Sequence, residues 1–446
     1  MSRNTSLSIL ILSLSGAFTT NCVESKCSLS EYACDPACMP HVQVTPSILS
    51  LAQDVESTIA VTPNQCQWLQ GLNMTIVQGP NVFPIPQVSS TGEIKAKLGN
   101  ISSVNDSRIQ LQPGKATLMV GNYRVEELRL TPRFESQVLT QDLPADFSDS
   151  SLDSVGLVSY LKSPRTVESQ VVLLSRKKAT LQMFTHTVPG TVTSGIIASS
   201  AAGLGAFTDS LPNTLRIGSQ RVGFISGTGT GAGITSYFQS WTLANSSLTP
   251  LVPNTAGRVS SLTSDANGTI YASVRDGKTE AFSDSMRMKA LSVAEPVMQP
   301  TRYLVLVGDL DGDKRGDVVS WDASGQHPVV VTPDPMQANS LLLNTKFQIP
   351  NVSIDSANAR VPVALGDLNK DGLADLINAT KDGIQVYYNN GDGTFYQETA
   401  TIAPLKSATF VQSLAVAVPA AEGMGVRGLV WVARDSGKTT VNVLKY

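Results

Sequence analysis

The sequence has few charged residues and very little histidine. Charged residues make up 15% of the 446 positions, and 33 basic against 36 acidic residues leave a net charge of −3. A dedicated nucleic-acid-binding domain is usually strongly basic, so this balance argues against a nucleic-acid partner. Three histidines occur, and no serine stands in a Gly-x-Ser-x-Gly motif. Acyl-transfer chemistry therefore lacks its usual groups, and we predict no catalytic residues.

Apolar runs are also short. The run from Leu7 to Leu14 follows Arg3 and is well below the ~20 apolar residues that span a bilayer. This layout is typical of a signal peptide, which we place at residues 1–21. No later segment is long enough for a transmembrane helix. Cleavage after Ala17 and cleavage before Cys22 with lipid attachment are both compatible with the sequence.

The cysteine count bears on that choice, because five is an odd number for an exported protein. Lipidation of Cys22 leaves four cysteines, enough for two disulfides. Zinc binding by a Cys-x3-Cys pair is less favoured in an oxidising compartment. The sequence therefore favours an outer-membrane lipoprotein, with plain secretion as the alternative. The disulfide candidates are Cys27, Cys34, Cys38 and Cys66.

The chain divides into segments of different pattern. Residues 22–41 form a Cys-rich tether, and residues 42–134 alternate apolar and polar positions between turn signals, like an immunoglobulin-like β-sandwich. Residues 135–153 are acidic and serine-rich, which indicates a linker. Residues 154–446 contain short strands in units of roughly 40–60 residues, which predicts a six- or seven-bladed β-propeller. The predicted fold class is all-β.

Two segments of the propeller region carry a repeated acidic pattern. Residues 305–321 and 363–379 each contain an apolar strand, Gly-Asp-Leu, an acidic loop and a second apolar strand. Three or four carboxylates within nine residues repel one another unless a cation neutralises them, and oxygen ligands alone suit Ca²⁺. An EF-hand would need Glu at position 12, where Ser320 and Asn378 stand. The candidate ligands are Asp309, Asp311, Asp313, the Arg315 carbonyl and Asp317 in one copy, and Asp367, Asn369, Asp371, the Leu373 carbonyl and Asp375 in the other.

These segments resemble the FG-GAP/VCBS repeats of integrin-alpha-like β-propellers, over about residues 300–396. The resemblance implies one or two structural Ca²⁺ ions, each bound between the first two strands of a blade. The second copy is the better match, with Gly372 at position 6. The first copy has Lys314 there, which predicts a strained turn and a weaker site. The segment from Ala417 to Gly423 lacks the aspartates and is expected to bind no metal.

The functional expectation is a binding or adhesion module for a protein or glycan at the cell surface, attached to the membrane by its lipid. One alternative is a glycan-active hydrolase or lyase, for which carboxylates such as Asp265 or Glu280 have no supporting motif. Another alternative is a structural subunit of an envelope assembly. Fold resemblance alone does not decide among these three.

Overall fold

The described residues form β-strands and one short 3-10 helix, Leu98–Asn100, which confirms the predicted all-β class. No helix in the described part of the chain is long and apolar enough to cross a membrane. The predicted signal peptide, tether and all five cysteines lie outside the described residues. The computed structural model describes residues 48–51, 56–60, 73–87, 93–120, 123–135, 138–143, 152–163, 166–177, 180–187, 196–199, 221–228, 235–242, 247–248, 252–253, 259–264, 270–274, 279–282, 288–293, 303–321, 324–326, 328–336, 340–354, 362–398, 402–404, 410–417, 427–435 and 438–446.

The N-terminal unit contains seven strands in two sheets. The five-stranded sheet has the order β1-β7-β6-β3-β4, with β1 parallel to β7, and the second sheet pairs β2 with β5. An immunoglobulin-like topology stays a prediction. The strands are β1 (Ile48–Ser50), β2 (Ser57–Ala60), β3 (Met74–Gln78), β4 (Asn81–Ile85), β5 (Glu93–Ala96), β6 (Gly114–Val120) and β7 (Tyr123–Thr131).

The two sheets of this unit share one apolar core. Ile59 and Ile94 of the small sheet are buried with Ile76, Leu118 and Leu128 of the large one. The alternating sequence produces this arrangement, because every second side chain of a strand points to the same face. The unit is therefore a two-layered β structure, as the alternation predicts.

The rest of the described chain forms six blade-like groups of strands. The first three groups precede the acidic segments. They are β9 (Leu152–Ser163), β10 (Thr166–Lys177), β11 (Thr180–Thr187) and β12 (Ile196–Ser199); then β13 (Arg221–Thr228), β14 (Thr235–Thr242), β15 (Ser247–Leu248) and β16 (Val252–Pro253); then β17 (Val259–Ser264), β18 (Ile270–Val274), β19 (Thr279–Phe282) and β20 (Met288–Val293).

The last three groups contain both acidic segments. They are β21 (Tyr303–Gly308), β22 (Asp317–Trp321), β23 (Val329–Pro333) and β24 (Ser340–Asn344); then β25 (Val363–Gly366), β26 (Asp375–Ala379), β27 (Gly383–Asn389), β28 (Phe395–Gln397) and β29 (Ala403–Pro404); then β30 (Phe410–Val416), β31 (Gly428–Asp435) and β32 (Lys438–Lys445), joined by β8 (Leu139–Asp142).

The first strands of successive groups lie beside one another, as in a propeller. β13 contacts β17, β17 contacts β21, β21 contacts β25, β25 contacts β30, and β30 contacts β9. The middle strands β22, β26 and β31 are buried on both faces because each sheet lies between two others. Trp321 and Trp431 belong to these cores and are almost fully buried. β20 also pairs in parallel with β24, so the third and fourth groups are joined in one eight-stranded sheet. The described residues therefore show a propeller-like arrangement of six groups.

One strand of the last group comes from much earlier in the chain. β8 lies within residues 135–153, which the sequence analysis assigns to a linker, and it pairs with β32. The hydroxyl of Thr140 donates to Oδ1 of Asn442 at 2.8 Å. The sequence did not indicate this short strand, because the residues around it are acidic and rich in serine and its partner is more than 300 positions away. The strand ties the start of the repeat region to its end.

Candidate metal centre

The two acidic segments occupy equivalent hairpins in neighbouring blade-like groups. The first loop, residues 309–317, joins β21 to β22, and the second loop, residues 367–375, joins β25 to β26. The register is the same in both, with Gly308 opposite Asp317 and Gly366 opposite Asp375. The ninth loop residue is thus the first residue of the following strand in each copy. This equivalence confirms the internal repeat.

The Gly-Asp-Leu pattern has a packing explanation. A Cβ atom on Gly308 would lie 2.6 Å from Cβ of Ala374, and one on Gly366 would lie 2.8 Å from Cγ2 of Val416. Each glycine therefore allows the next group to approach the backbone closely. The leucine at loop position 2, Leu310 or Leu368, is fully buried and anchors the loop in the core between groups.

Both loops turn through two left-handed residues, at positions 4 and 6. The φ angles are +84° at Gly312 and +66° at Lys314 in the first loop, and +55° at Lys370 and +91° at Gly372 in the second. The prediction of a strained residue at Lys314 is therefore correct. The second loop carries the same strain at position 4, where the first loop has glycine. Backbone strain does not distinguish the two copies.

The first loop gathers three of its predicted ligands. Carboxylate oxygens of Asp309, Asp311 and Asp317 lie within 4.8 Å of one another. Asp317 is fully buried, its Oδ2 accepts the backbone N–H of Leu310 at 2.8 Å, and its Oδ1 has no hydrogen-bond partner. Burial and the neighbouring carboxylates raise the pKa of Asp317 to about 7. The pKa of Asp309 is also raised, first by burial.

The remaining side chain of the first loop points to a different partner. Oδ2 of Asp313 accepts the Nε–H of Arg315 at 2.6 Å. Although burial acts in the opposite direction, the hydrogen bonds and charge of Arg315 leave the pKa of Asp313 lowered. Asp313 therefore does not join the group formed by the other three aspartates. The Arg315 carbonyl stays a predicted ligand.

In the second loop, both oxygens of the ninth residue have protein donors. Asp375 is fully buried, and its carboxylate accepts the backbone N–H groups of Leu368 at 2.9 Å and Asn389 at 3.0 Å. Asp367 accepts the backbone N–H groups of Asp371 at 3.1 Å and Gly372 at 3.0 Å, as Asp309 of the first loop accepts those of Gly312 at 2.7 Å and Lys314 at 2.8 Å. Burial raises the pKa of Asp375 well above its usual range. Burial and the charge of Asp371 raise that of Asp367 to about 6.

Two further contacts of the second loop involve cationic or amide groups. The side-chain amide of Asn369 donates to Oδ2 of Asp371 at 3.2 Å. The guanidinium of Arg129, from β7 of the N-terminal unit, lies 3.4 Å from the same oxygen. The Leu373 carbonyl stays a predicted ligand. The Asp371 carboxylate of this loop thus lies beside a side-chain amide and a guanidinium, unlike the three aspartates that meet in the first loop.

Sequence reasoning missed Asn389 and Arg129. The buried side-chain amide of Asn389 donates to the carbonyls of Leu310 at 2.9 Å and Ala374 at 3.2 Å, and so connects the two loops. Asn389 immediately precedes an Asn-Gly pair that indicates only a turn. Arg129 also donates to the carbonyl of Asn389 at 2.8 Å, from 260 positions away, and no local pattern signals such a contact.

Comparison with known proteins supports the repeat. A family model described as FG-GAP-like repeat matches residues 367–417, beginning at the first residue of the second loop. No curated protein matches the sequence. Similar solved structures include two auxiliary nutrient binding proteins. The protein from Bacteroides thetaiotaomicron has a TM-score of 0.38 and 7% identity, with 92% of this chain and 99% of that chain covered.

The second structure is from Bacteroides ovatus. Its TM-score is 0.41 and its identity is 8%, again with 92% of this chain and 99% of that chain covered. TM-scores this low do not establish a shared fold.

Proposed function

We propose that this protein is an exported, calcium-binding β-propeller that acts as a binding or adhesion module for a protein or glycan at the cell surface. The main support is the first loop, where three carboxylates lie within 4.8 Å of one another. The equivalent loop of the next group begins the segment that matches the FG-GAP-like repeat. The predicted lipid at Cys22 would attach the module to the envelope. This route agrees with the odd cysteine count.

The residues of the first loop fit a divalent cation. Asp309, Asp311 and Asp317 offer only oxygen, which hard cations such as Ca²⁺ prefer. The raised pKa values of Asp309 and Asp317 show that their charges are costly in the absence of a cation. The ion would supply a positive charge that holds the hairpin between β21 and β22. Its role would be structural, because all three ligands belong to one loop and the ion would hold that loop in its folded shape.

The calcium part of the proposal is tested by isothermal titration of the purified protein with Ca²⁺ and with Mg²⁺. We expect Ca²⁺ binding that is lost in Asp309→Asn and retained in Asp382→Asn, a control at an exposed aspartate outside both loops. Absence of binding in the parent protein, or equal loss in both variants, would contradict the proposal.

The binding part is tested separately. The protein is applied to arrays of bacterial and host glycans and to immobilised surface proteins, with Ca²⁺ and with a chelator. A saturable ligand without turnover supports a binding module. Release of shortened or unsaturated sugars from a polysaccharide would instead favour the hydrolase or lyase.

A further inference from the structure

The second loop faces the N-terminal unit. Nη1 of Arg129 lies 3.4 Å from Oδ2 of Asp371 and donates to the carbonyl of Asn389 at 2.8 Å. The Asp371 side chain is fully buried, and that of Arg129 is 20% exposed. A Cβ atom on Gly391 would lie 3.0 Å from Nη2 of Arg129, so the guanidinium also lies close to this backbone.

Packing around this ion pair is close on the N-terminal side. A Cβ atom on Gly114 of β6 would lie 3.4 Å from the carbonyl oxygen of Asn369. Ile48 of β1 is buried in the same apolar cluster as Leu368 and Ile377 of the fifth group. The N-terminal unit therefore covers the second loop with the backbone of Gly114, the apolar side chain of Ile48 and the guanidinium of Arg129.

The charges of the second loop argue against a metal there. Ca²⁺ at this position would need oxygens of Asp371 that already accept the Asn369 amide and lie beside the Arg129 guanidinium. A divalent ion beside a largely buried guanidinium is repelled, since like charges in a medium of low dielectric interact strongly. The guanidinium itself supplies the positive charge that the carboxylates require.

We propose that Arg129 takes the place of a metal ion at the second loop, and that this loop is the docking site of the N-terminal unit on the propeller. The repeat thereby has two uses in one chain: the first loop holds an ion, and the second holds a domain. The docking part is independent of the proposed function. Only the expected count of one ion per chain rests on the proposed function.

The docking part is tested by a double-mutant cycle on Arg129→Met and Asp371→Asn, read by hydrogen exchange of the β7 amides. Breaking a buried ion pair is costly, so each single variant should raise exchange by at least about tenfold. The double variant should be no worse than either single one. The matched control is the exposed pair Arg124 and Glu127, 3.5 Å apart on the same strand, for which Arg124→Met and Glu127→Gln should change exchange little.

The ion count is measured by titration of the same proteins with Ca²⁺. We expect one ion per chain, lost in Asp317→Asn and retained in Asp371→Asn. Loss of a Ca²⁺ ion in Asp371→Asn, or additive effects of Arg129→Met and Asp371→Asn, would overturn the inference. If neither the parent protein nor any variant binds Ca²⁺, the calcium part of the proposed function is wrong. The double-mutant cycle still tests the docking role in that case.

Discussion

The two acidic loops have nearly the same backbone but different surroundings. Both join the first two strands of a blade-like group, and both place left-handed residues at positions 4 and 6. In the first loop, Asp311 and Asp313 are exposed. In the second, Asn369 and Asp371 are buried against the N-terminal unit. The acidic sequence pattern thus specifies a loop shape, while the neighbouring structure determines which cation can compensate its charge.

The buried ninth residue shows the same difference at a single position. Asp317 and Asp375 each accept the backbone N–H of the leucine at position 2, at 2.8 and 2.9 Å. The second oxygen of Asp375 accepts the N–H of Asn389, whereas Oδ1 of Asp317 has no partner. A buried carboxylate oxygen without a partner is costly, and an ion would satisfy it. The first loop is therefore the one that would gain more from a bound cation.

The largest expected effect is a calcium response confined to the first loop. A ligand that binds only the folded state at 1,000 times its Kd stabilises by about 4 kcal/mol, so Ca²⁺ should raise the Tm by about 5–10 °C. Asp317→Asn should abolish this rise, and Asp375→Asn should lower the Tm yet keep the rise. Differential scanning calorimetry with Ca²⁺ and with a chelator measures both. A rise abolished only by Asp375→Asn would reverse the comparison.

The next effect concerns the equivalent glycines that precede the two loops. Gly308→Ala and Gly366→Ala introduce a Cβ atom at 2.6 Å and 2.8 Å from the next group, and overpacking of this kind costs about 1–3 kcal/mol. Chemical unfolding should show both losses. Gly79→Ala is the control, since no atom lies within 4 Å of its added Cβ, and its φ of +58° leaves only backbone strain. Absence of a loss at Gly308 and Gly366 would show that close packing does not constrain these two positions.

Local pattern predicted much of this molecule. The alternation, the turn signals and the repeated Gly-Asp-Leu placed the loops between adjacent strands, because these features act over a few residues. The pairing of β8 with β32 and the contact of Arg129 with the second loop were not predictable. Both join residues hundreds of positions apart, and no periodicity of the sequence records such pairs. The different surroundings of the two loops thus arise from tertiary packing.

A smaller effect tests whether the two backbones are truly equivalent. Lys314→Gly and Lys370→Gly each place glycine at a left-handed residue, with φ of +66° and +55°. Release of this strain, partly offset by the greater freedom of the unfolded chain, should stabilise the protein by about 0.5–1 kcal/mol in each case. Urea unfolding measures the gain. Because both lysines have a left-handed backbone, the two variants should gain similar stability. A gain in only one variant would show that the two loop backbones are not equivalent.

A last prediction concerns pH, on which the stability of the metal-free protein and the stabilisation by Ca²⁺ should depend with opposite sign. In the metal-free protein the folded-state pKa of Asp317 is about 7, above its usual value of 3.8. The folded state therefore binds more protons than the unfolded state between these values, and stability should fall as pH rises from about 4 to about 7. Asp367, with a pKa of about 6, contributes in the same direction.

Calcium changes the sign at one loop only. Ca²⁺ binds the ionised carboxylate, so the stabilisation that it gives should decrease as the pH falls below about 7 and Asp317 takes up a proton. Tm is measured from pH 5 to pH 8 with Ca²⁺ and with a chelator; the metal-free Tm should fall as the pH rises, whereas the difference between the two values should grow. Asp317→Asn should remove the difference and flatten the metal-free curve, whereas Asp367→Asn should flatten the metal-free curve and keep the difference. If Asp367→Asn removed the difference as well, the second loop would bind an ion and the two loops would be alike in function as well as in backbone.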